Sequence, residues 1–425
     1  MTLAIRRLKA CVAVIGGGPA GLAAAVAARN AGCGDVLLIE RDRILGGILN
    51  QCIHDGFGLH TFGEALSGPE YAGRYISMFR ERNIRSLEDT IVLSLAPASE
   101  GGLEILASSR AGLVAIDANA VILAMGCRER PRGAISIPGD RPSGVYTAGA
   151  AQNLVNLENI QIGKRVCILG SGDIGLIMAR RMTLEGASVE SVFEILPYSS
   201  GLPRNIQQCL NDYNIPLFLS TTVTKIHGRG RLEGVSVAQV GADRSPVPET
   251  ERYVPCDTLL LSVGLIPENE LSRMCGVEID PVTSGAIVDD TFMTSVPGVF
   301  ACGNVLHVHD LVDWVSVEAA QAGAFAAAYA AGSAPEAGIP VKPGDGVRYT
   351  LPQRVSGARD CTISLRVGAP WRDRSIVVRT PGSASEERRI IKRTKMVRLH
   401  PAEMIRVDLK AADFAGASGL EVCVE

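Results

Sequence analysis

"CVAVIGGGPAG", Cys11–Gly21, carries a short apolar strand straight into Gly16-x-Gly18-x-x-Gly21. The helix-forming "LAAAVAARNAG" follows, and a second apolar segment, "DVLLIE", ends at Glu40. Strand, glycine turn, helix and terminal acid in this order give each residue a physical task. Gly16 permits the tight turn, Gly18 lets the backbone approach a pyrophosphate, and Gly21 lets the helix pack closely on the sheet. The start of the helix offers unpaired N–H groups and a positive dipole end to that pyrophosphate. Glu40 is placed to accept hydrogen bonds from an adenosine ribose.

The pattern returns at "RVCILGSGDIGLIMARRMTLEGASVESVFE", with Gly170, Gly172, Gly175 and a terminal Glu194. The first glycine and the acid are 24 residues apart in both copies. Glu194 favours a free ribose 2′-hydroxyl and repels a 2′-phosphate, and no arginine follows it until Arg204, so NAD(H) is preferred over NADP(H) at this second site. Three further apolar strands end in glycine: "NAVILAMGCRERPRG" at Gly126, "TSVPGVFACGNV" at Gly303-Asn304, and "DTLLLSVGLIPEN" at Gly264. The fold class is therefore α/β, with two Rossmann-like dinucleotide-binding domains, one inserted in the other.

This arrangement resembles the two-dinucleotide-binding-domain flavoproteins, the pyridine nucleotide-disulfide oxidoreductase-like family that includes thioredoxin and glutathione reductases. The resemblance covers roughly residues 10–330 and implies FAD at the first fingerprint and NAD(H) at the second. It implies a discontinuous FAD domain, 1–157 and 256–335, around an NAD(H) domain at 158–255. The FAD-binding residues it implies are Gly16, Gly18, Pro19, Ala20, Gly21, Glu40, Arg41, Gly47, Ile48, Ala124, Gly126, Gly303, Asn304 and Val315. For NAD(H) they are Gly170, Gly172, Asp173, Ile174, Gly175, Glu194 and Gly264. One departure stands out: the Asp usual after the last glycine is Asn304 here, whose amide can still bond a ribityl hydroxyl or a phosphate. In "DLVDWVSVEAAQAGAFAAAYA" the resemblance points the helix N-terminus, near Trp314 and Val315, at the flavin, with Asp313 as a candidate cap.

Cys52, in "GGILNQCIHDGFGLH", raises the question of thiol chemistry. Disulfide reductases of the family use a cysteine pair, and no cysteine follows Cys52 until Cys127. A single-cysteine cycle through sulfenic acid or a mixed disulfide is the alternative that remains. Cys127 and Cys302 look like small wall residues. Of only six histidines, four lie in two segments expected near the flavin: His54 and His60, His307 and His309. They are candidates for general bases or for polarising the flavin, against a bland role as polar filling. His307-x-His309-Asp310 has too few ligands in view to indicate a metal, and none is expected.

The long strings "GGILNQCIHDGFGLHTFGEALSGPEYAGRY", "AMGCRERPRGA" and "FACGNVLHVHDLVDWVS" resemble a narrower group. Its members accompany flavin-dependent glycerol-3-phosphate dehydrogenase-like proteins, often with a small cysteine-rich third protein. More distantly they resemble the FAD/NAD-binding subunits of opine, proline and hydrogen-cyanide-forming dehydrogenases. The resemblance implies a dehydrogenase subunit that moves hydride or electrons between FAD and NAD(H), with a second flavoprotein acting on a small hydroxy or amino substrate. A stand-alone NADH-dependent disulfide or peroxide reductase using Cys52 is the alternative. A nucleotide-holding scaffold without catalysis is a third reading, and both intact fingerprints speak against it.

After the linker "AGSAPEAGIPVKPGDGV" come short segments of alternating polarity, "CTISLRV", "SIVVRT", "KMVRL", "EMIRVDLK" and "LEVCVE". They predict a small β-rich domain at 345–425. From Val341 onward there are 16 Lys+Arg against 10 Asp+Glu, a basic balance that suits docking on an acidic surface, its own or a partner's. The whole chain of 425 residues has a net charge of −3, which gives no reason to expect nucleic acid or an anionic membrane as partner. Glycines 16–18 and Arg29 interrupt the apolar opening before it could span a bilayer. Eleven cysteines without metal-ligand spacing fit a reducing compartment, so a cytoplasmic protein is expected, and separately an oligomer.

Overall fold

The computed structural model describes residues 5–99, 101–334, 338–381 and 388–425. Part of the linker, 335–337, therefore lies outside the described residues. The chain divides into two compact units, one formed by Met1–Cys127 with Pro267–Glu425, the other by Arg128–Ile266.

In the first unit a central sheet has the strand order Arg85–Leu87, Val36–Ile39, Arg6–Ile15, Gly112–Leu123, Leu103–Ser109, Thr90–Pro97, with Val299–Ala301 also paired to Gly112–Leu123. The fingerprint strand Arg6–Ile15 is parallel to both of its neighbours, so it is covered on both faces. That is why its end reads as the uninterrupted apolar run Val12-Ala13-Val14-Ile15, each residue at most 4% exposed. Helix Pro19–Asn30 is alanine-rich and nearly all buried, and it packs against the long helix Val312–Ala330. Small residues permit the approach: a Cβ on Gly323 would lie 2.2 Å from the Ala24 carbonyl oxygen.

The strand-rich end of the chain belongs to this same unit and starts earlier than the sequence indicates, at Ile339–Pro343. It forms a five-stranded and a three-stranded sheet around a common core that includes Ile363, Leu365, Val367, Ile376, Val378, Leu399 and Val422. Each such fully buried aliphatic side chain contributes about 1.5–3 kcal/mol. Leu351 joins the core of the dinucleotide fold instead, and the Gln353 backbone N–H donates to the Val288 carbonyl at 3.1 Å.

The second unit carries a parallel sheet ordered Val145–Thr147, Thr258–Leu261, Arg165–Leu169, Ser188–Phe193, Leu217–Phe218. An antiparallel sheet of Thr221–His227, Gly234–Gln239 and Arg252–Pro255 accompanies it. The unit is wider than 158–255 because Val145–Thr147 pairs with Thr258–Leu261, drawing segments 128–157 and 256–266 into its sheet. A pairing between strands so distant in sequence has no local signal.

Among the described residues, no helix is long and apolar enough to cross a membrane.

Candidate functional site

Both glycine turns are built alike. The helix after each starts at a glycine, Gly18 or Gly172, whose missing side chain makes no capping bond, so first-turn N–H groups are left for a ligand; in the second helix the Gly175 N–H is the exception, donating to the Ser262 hydroxyl at 3.1 Å. A Cβ on Gly21 would lie 1.8 Å from the Gly16 carbonyl oxygen, which is the close helix–strand contact the third glycine exists to allow. Pro19, Ala20 and Ile174 lie in these first turns. Ala124 backs the first turn: its carbonyl oxygen would be 2.4 Å from a Cβ on Gly16.

The terminal acids do more than wait for a ribose. Glu40 is buried and accepts hydrogen bonds from the backbone N–H of Gly17 and, at 2.8 Å, from that of Asp42. Glu194 is equally buried and accepts from the backbone N–H of Ser171 at 3.0 Å, from the hydroxyls of Ser171 and Ser200, and from the Leu196 N–H. Each carboxylate thus grips the second residue of its own glycine turn. Asp173 serves as a tie as well, accepting from the Leu202 N–H at 2.8 Å and the Asn205 amide at 2.7 Å. Gly264 receives the Arg130 backbone N–H at its carbonyl.

Around the first turn, Gly47 packs against Gly18, while Arg41 and Ile48 are exposed. Gly303 has φ +72°, and a Cβ there would be 2.8 Å from the Ala20 Cβ and 3.3 Å from Val315. This glycine, with Gly47 against Gly18 and the uncapped helix end, forms a cradle that fits an FAD pyrophosphate; the second turn fits the corresponding part of a nicotinamide dinucleotide.

Asp313 is not the cap of helix Val312–Ala330; Leu311 holds that position. The Asp313 carboxylate is buried in the first turn and accepts backbone N–H bonds from Gly58 (3.1 Å), His60 (3.2 Å) and Thr61 (2.7 Å). It thereby pins the segment after the paired glycines to the late helix. Tyr71 adds a second tie, donating to the Ser316 hydroxyl at 2.7 Å. The only sequence signal for this role is an acid in a first helical turn, where it also complements the dipole.

The four histidines do not form one group. His54 lies against Phe57, and His60 stacks on Trp314 at 4.9 Å between ring centroids. On Trp314 sits also the Arg406 guanidinium, 4.2 Å from the ring centroid. His307 and His309 instead converge on Glu318, which the sequence reading did not single out. His307 Nε2 is 2.8 Å from Glu318 Oε2 and its Nδ1 is 3.3 Å from the Tyr349 hydroxyl. The other carboxylate oxygen accepts the Gly303 N–H at 2.7 Å. Burial opposes charge on Glu318, but His309 and His307 outweigh it and hold the carboxyl well below its ordinary range. Burial, with His309 alongside, keeps His307 below the usual imidazole value.

Asn304 faces inward. Its Oδ1 accepts the His309 backbone N–H at 3.0 Å, and its Nδ2 is 3.7 Å from Cys127 Sγ. Cys52 closes the short helical turn Gly47–Gln51, with Sγ 3.3 Å from the Ile48 carbonyl oxygen. Burial pushes its thiol up to about 12. No disulfide is formed among the described residues.

Residues 10–331 match the family model described as pyridine nucleotide-disulphide oxidoreductase. A protein of Agrobacterium tumefaciens (strain Ach5) named as one of the subunits of opine oxidase is 26% identical over 68% of this chain and 60% of its own length. A subunit of the alkyl hydroperoxide reductase of Pseudomonas putida is 28% identical over 70% of this chain and 53% of its own length. The chain thus spans little more than half the length of these relatives. The thioredoxin reductase of T. acidophilum superposes with a TM-score of 0.64 at 23% identity, covering 76% of this chain and 99% of that one. Matched fold, paired fingerprints and nucleotide cradles converge on one conclusion: the chain belongs to the pyridine nucleotide-disulphide oxidoreductase family, whose members bind FAD and NAD(P)H.

Proposed function

We propose that this chain is the FAD- and NAD(H)-binding subunit of a multi-subunit dehydrogenase, working with a second flavoprotein that oxidises a small hydroxy or amino substrate and with a small cysteine-rich protein. Bound FAD and a nicotinamide dinucleotide would supply hydride exchange. The observation that carries the reading is the pair of acid-gripped glycine turns, each with an uncapped helix start behind it. Gly16, Gly18, Gly21, Gly303 and the first turn of Pro19–Asn30 would hold the flavin nucleotide. Gly170, Gly172, Gly175 and the first turn of Asp173–Leu184 would hold the other. The likeness to a protein named as part of an opine oxidase supports a subunit role. Against thiol chemistry stands a Cys52 whose thiolate is disfavoured by burial.

Glu194 makes the choice of nucleotide testable. A like-charge contact at roughly 5 Å in a partly shielded medium costs about 3 kcal/mol, roughly a hundredfold in affinity. Anaerobic titration of the FAD-loaded chain, read by flavin absorbance, is expected to show bleaching by NADH at concentrations on the order of a hundredfold below those of NADPH. Equal potency would remove Glu194 from the ribose site. A flavin that neither nucleotide bleaches, alone or with the co-purifying subunits, would sink the proposed electron exchange itself.

A further inference from the structure

His309 is held in a way that needs explaining. Its Nδ1 lies 3.0 Å from the His307 carbonyl oxygen and 3.3 Å from Asn304 Oδ1. The Asn304 amide cannot be turned round to relieve this, because the same oxygen accepts the His309 backbone N–H at 3.0 Å. Facing two acceptors, Nδ1 carries the ring proton. Nε2 is then the ring atom turned toward Glu318 Oε2, 3.3 Å away. A ring nitrogen and a carboxylate oxygen that face each other where the imidazole is 2% and the carboxylate 8% exposed are reconciled by a positive charge on or between them.

We propose that His307 Nε2, His309 Nε2 and Glu318 Oε2 bind a divalent first-row transition metal ion, with Zn2+ and Fe2+ the classes that two imidazoles and one carboxylate suit. The three ligand atoms lie within 4.8 Å of one another, and two of the separations are 2.8 and 3.3 Å. Bonds of about 2.0–2.2 Å around a tetrahedral ion set ligand atoms roughly 3.5 Å apart, so small side-chain shifts complete the site. Each ligand already has its outer partner. His309 Nδ1 has the His307 carbonyl, His307 Nδ1 has the Tyr349 hydroxyl at 3.3 Å, and Glu318 Oε1 has the Gly303 N–H at 2.7 Å. Such partners fix ring orientation and the coordinating oxygen. His309 and Glu318 also line a small cavity with Trp314, Gln321 and Thr362, which gives an ion its way in and leaves a position for water. The ion would bolt the segment after Gly303 to the late helix, and it stands apart from the choice of nucleotide or electron partner.

Zinc and iron are measured by mass spectrometry on the FAD-loaded protein as purified and again after chelation and dialysis against Zn2+. X-ray absorption at the zinc edge follows. The expected result is one ion per chain, bound through imidazole nitrogen and oxygen without sulfur, and at least tenfold weaker binding in His309→Asn and in Glu318→Gln. His60→Ala, outside the cluster, is expected to bind as the unaltered chain does. Flavin content reports whether each variant is folded. Should the variants fail to fold, the unaltered chain decides alone: no retained zinc, or zinc on sulfur, overturns the site.

Discussion

Cys52 shows how a residue type can mislead until its surroundings are known. It sits where a flavin-linked thiol would be useful, yet burial raises its pKa from 9.0 to about 12. At pH 8 the thiolate fraction is therefore about a thousandfold below that of an ordinary thiol. The protonated thiol favours the fold below pH 9, and this contribution is lost as pH climbs through about 12. Iodoacetamide labelling followed by peptide mass analysis is expected to find Cys52 slow at pH 8 in the native protein and fast in urea. Cys52→Ser is expected to keep NADH-linked flavin bleaching within about twofold, the size of a mild packing change. Rapid native labelling together with lost turnover would restore the thiol reductase reading.

At the level of elements, the glycine turns do local work that a sequence exposes, because turn, helix start and terminal acid lie within one short unit. Gly21→Ala is the sharpest check: its Cβ would sit 1.8 Å from the Gly16 carbonyl oxygen, so the helix must lift off the strand. FAD content after purification is expected to fall to a small fraction, while NAD+ binding, measured calorimetrically, persists in the second unit. Retained FAD would mean the helix has room to slide. What the sequence does not disclose are ties across long chain separations. Asp313 reads as a helix cap yet holds N–H groups 252 to 255 residues away, and Glu318 becomes the partner of His307 and His309 only when the helix returns it to them. Asn304 reads as facing a cofactor, and its Oδ1 also accepts the His309 N–H, a tie made by loop conformation that composition does not encode.

For the whole molecule, the strand-rich end is the element whose meaning changes most. Read alone it is a basic module suited to docking; in the structure it is built into the first unit. Leu351 is 1% exposed in the core of the dinucleotide fold, Tyr349 meets His307, and Arg366 donates to the Val308 carbonyl at 3.1 Å. Arg406 covers Trp314, and the Met404 N–H reaches Asp310 at 3.2 Å. These contacts lie on the loop and helix that follow Gly303, so the tail braces one side of the flavin cradle. Removing it would uncover Leu351's neighbours and strip partners from a buried histidine, losses of about 2–5 kcal/mol for the side chain alone. A chain ending at Ala334 is accordingly expected to lose most of its FAD and to unfold its first unit at lower temperature, with the NAD+-dependent stabilisation of the second unit intact. If the shortened chain keeps its flavin and its unfolding temperature, the tail is an appended docking module, and its basic strands become the place to seek an acidic partner.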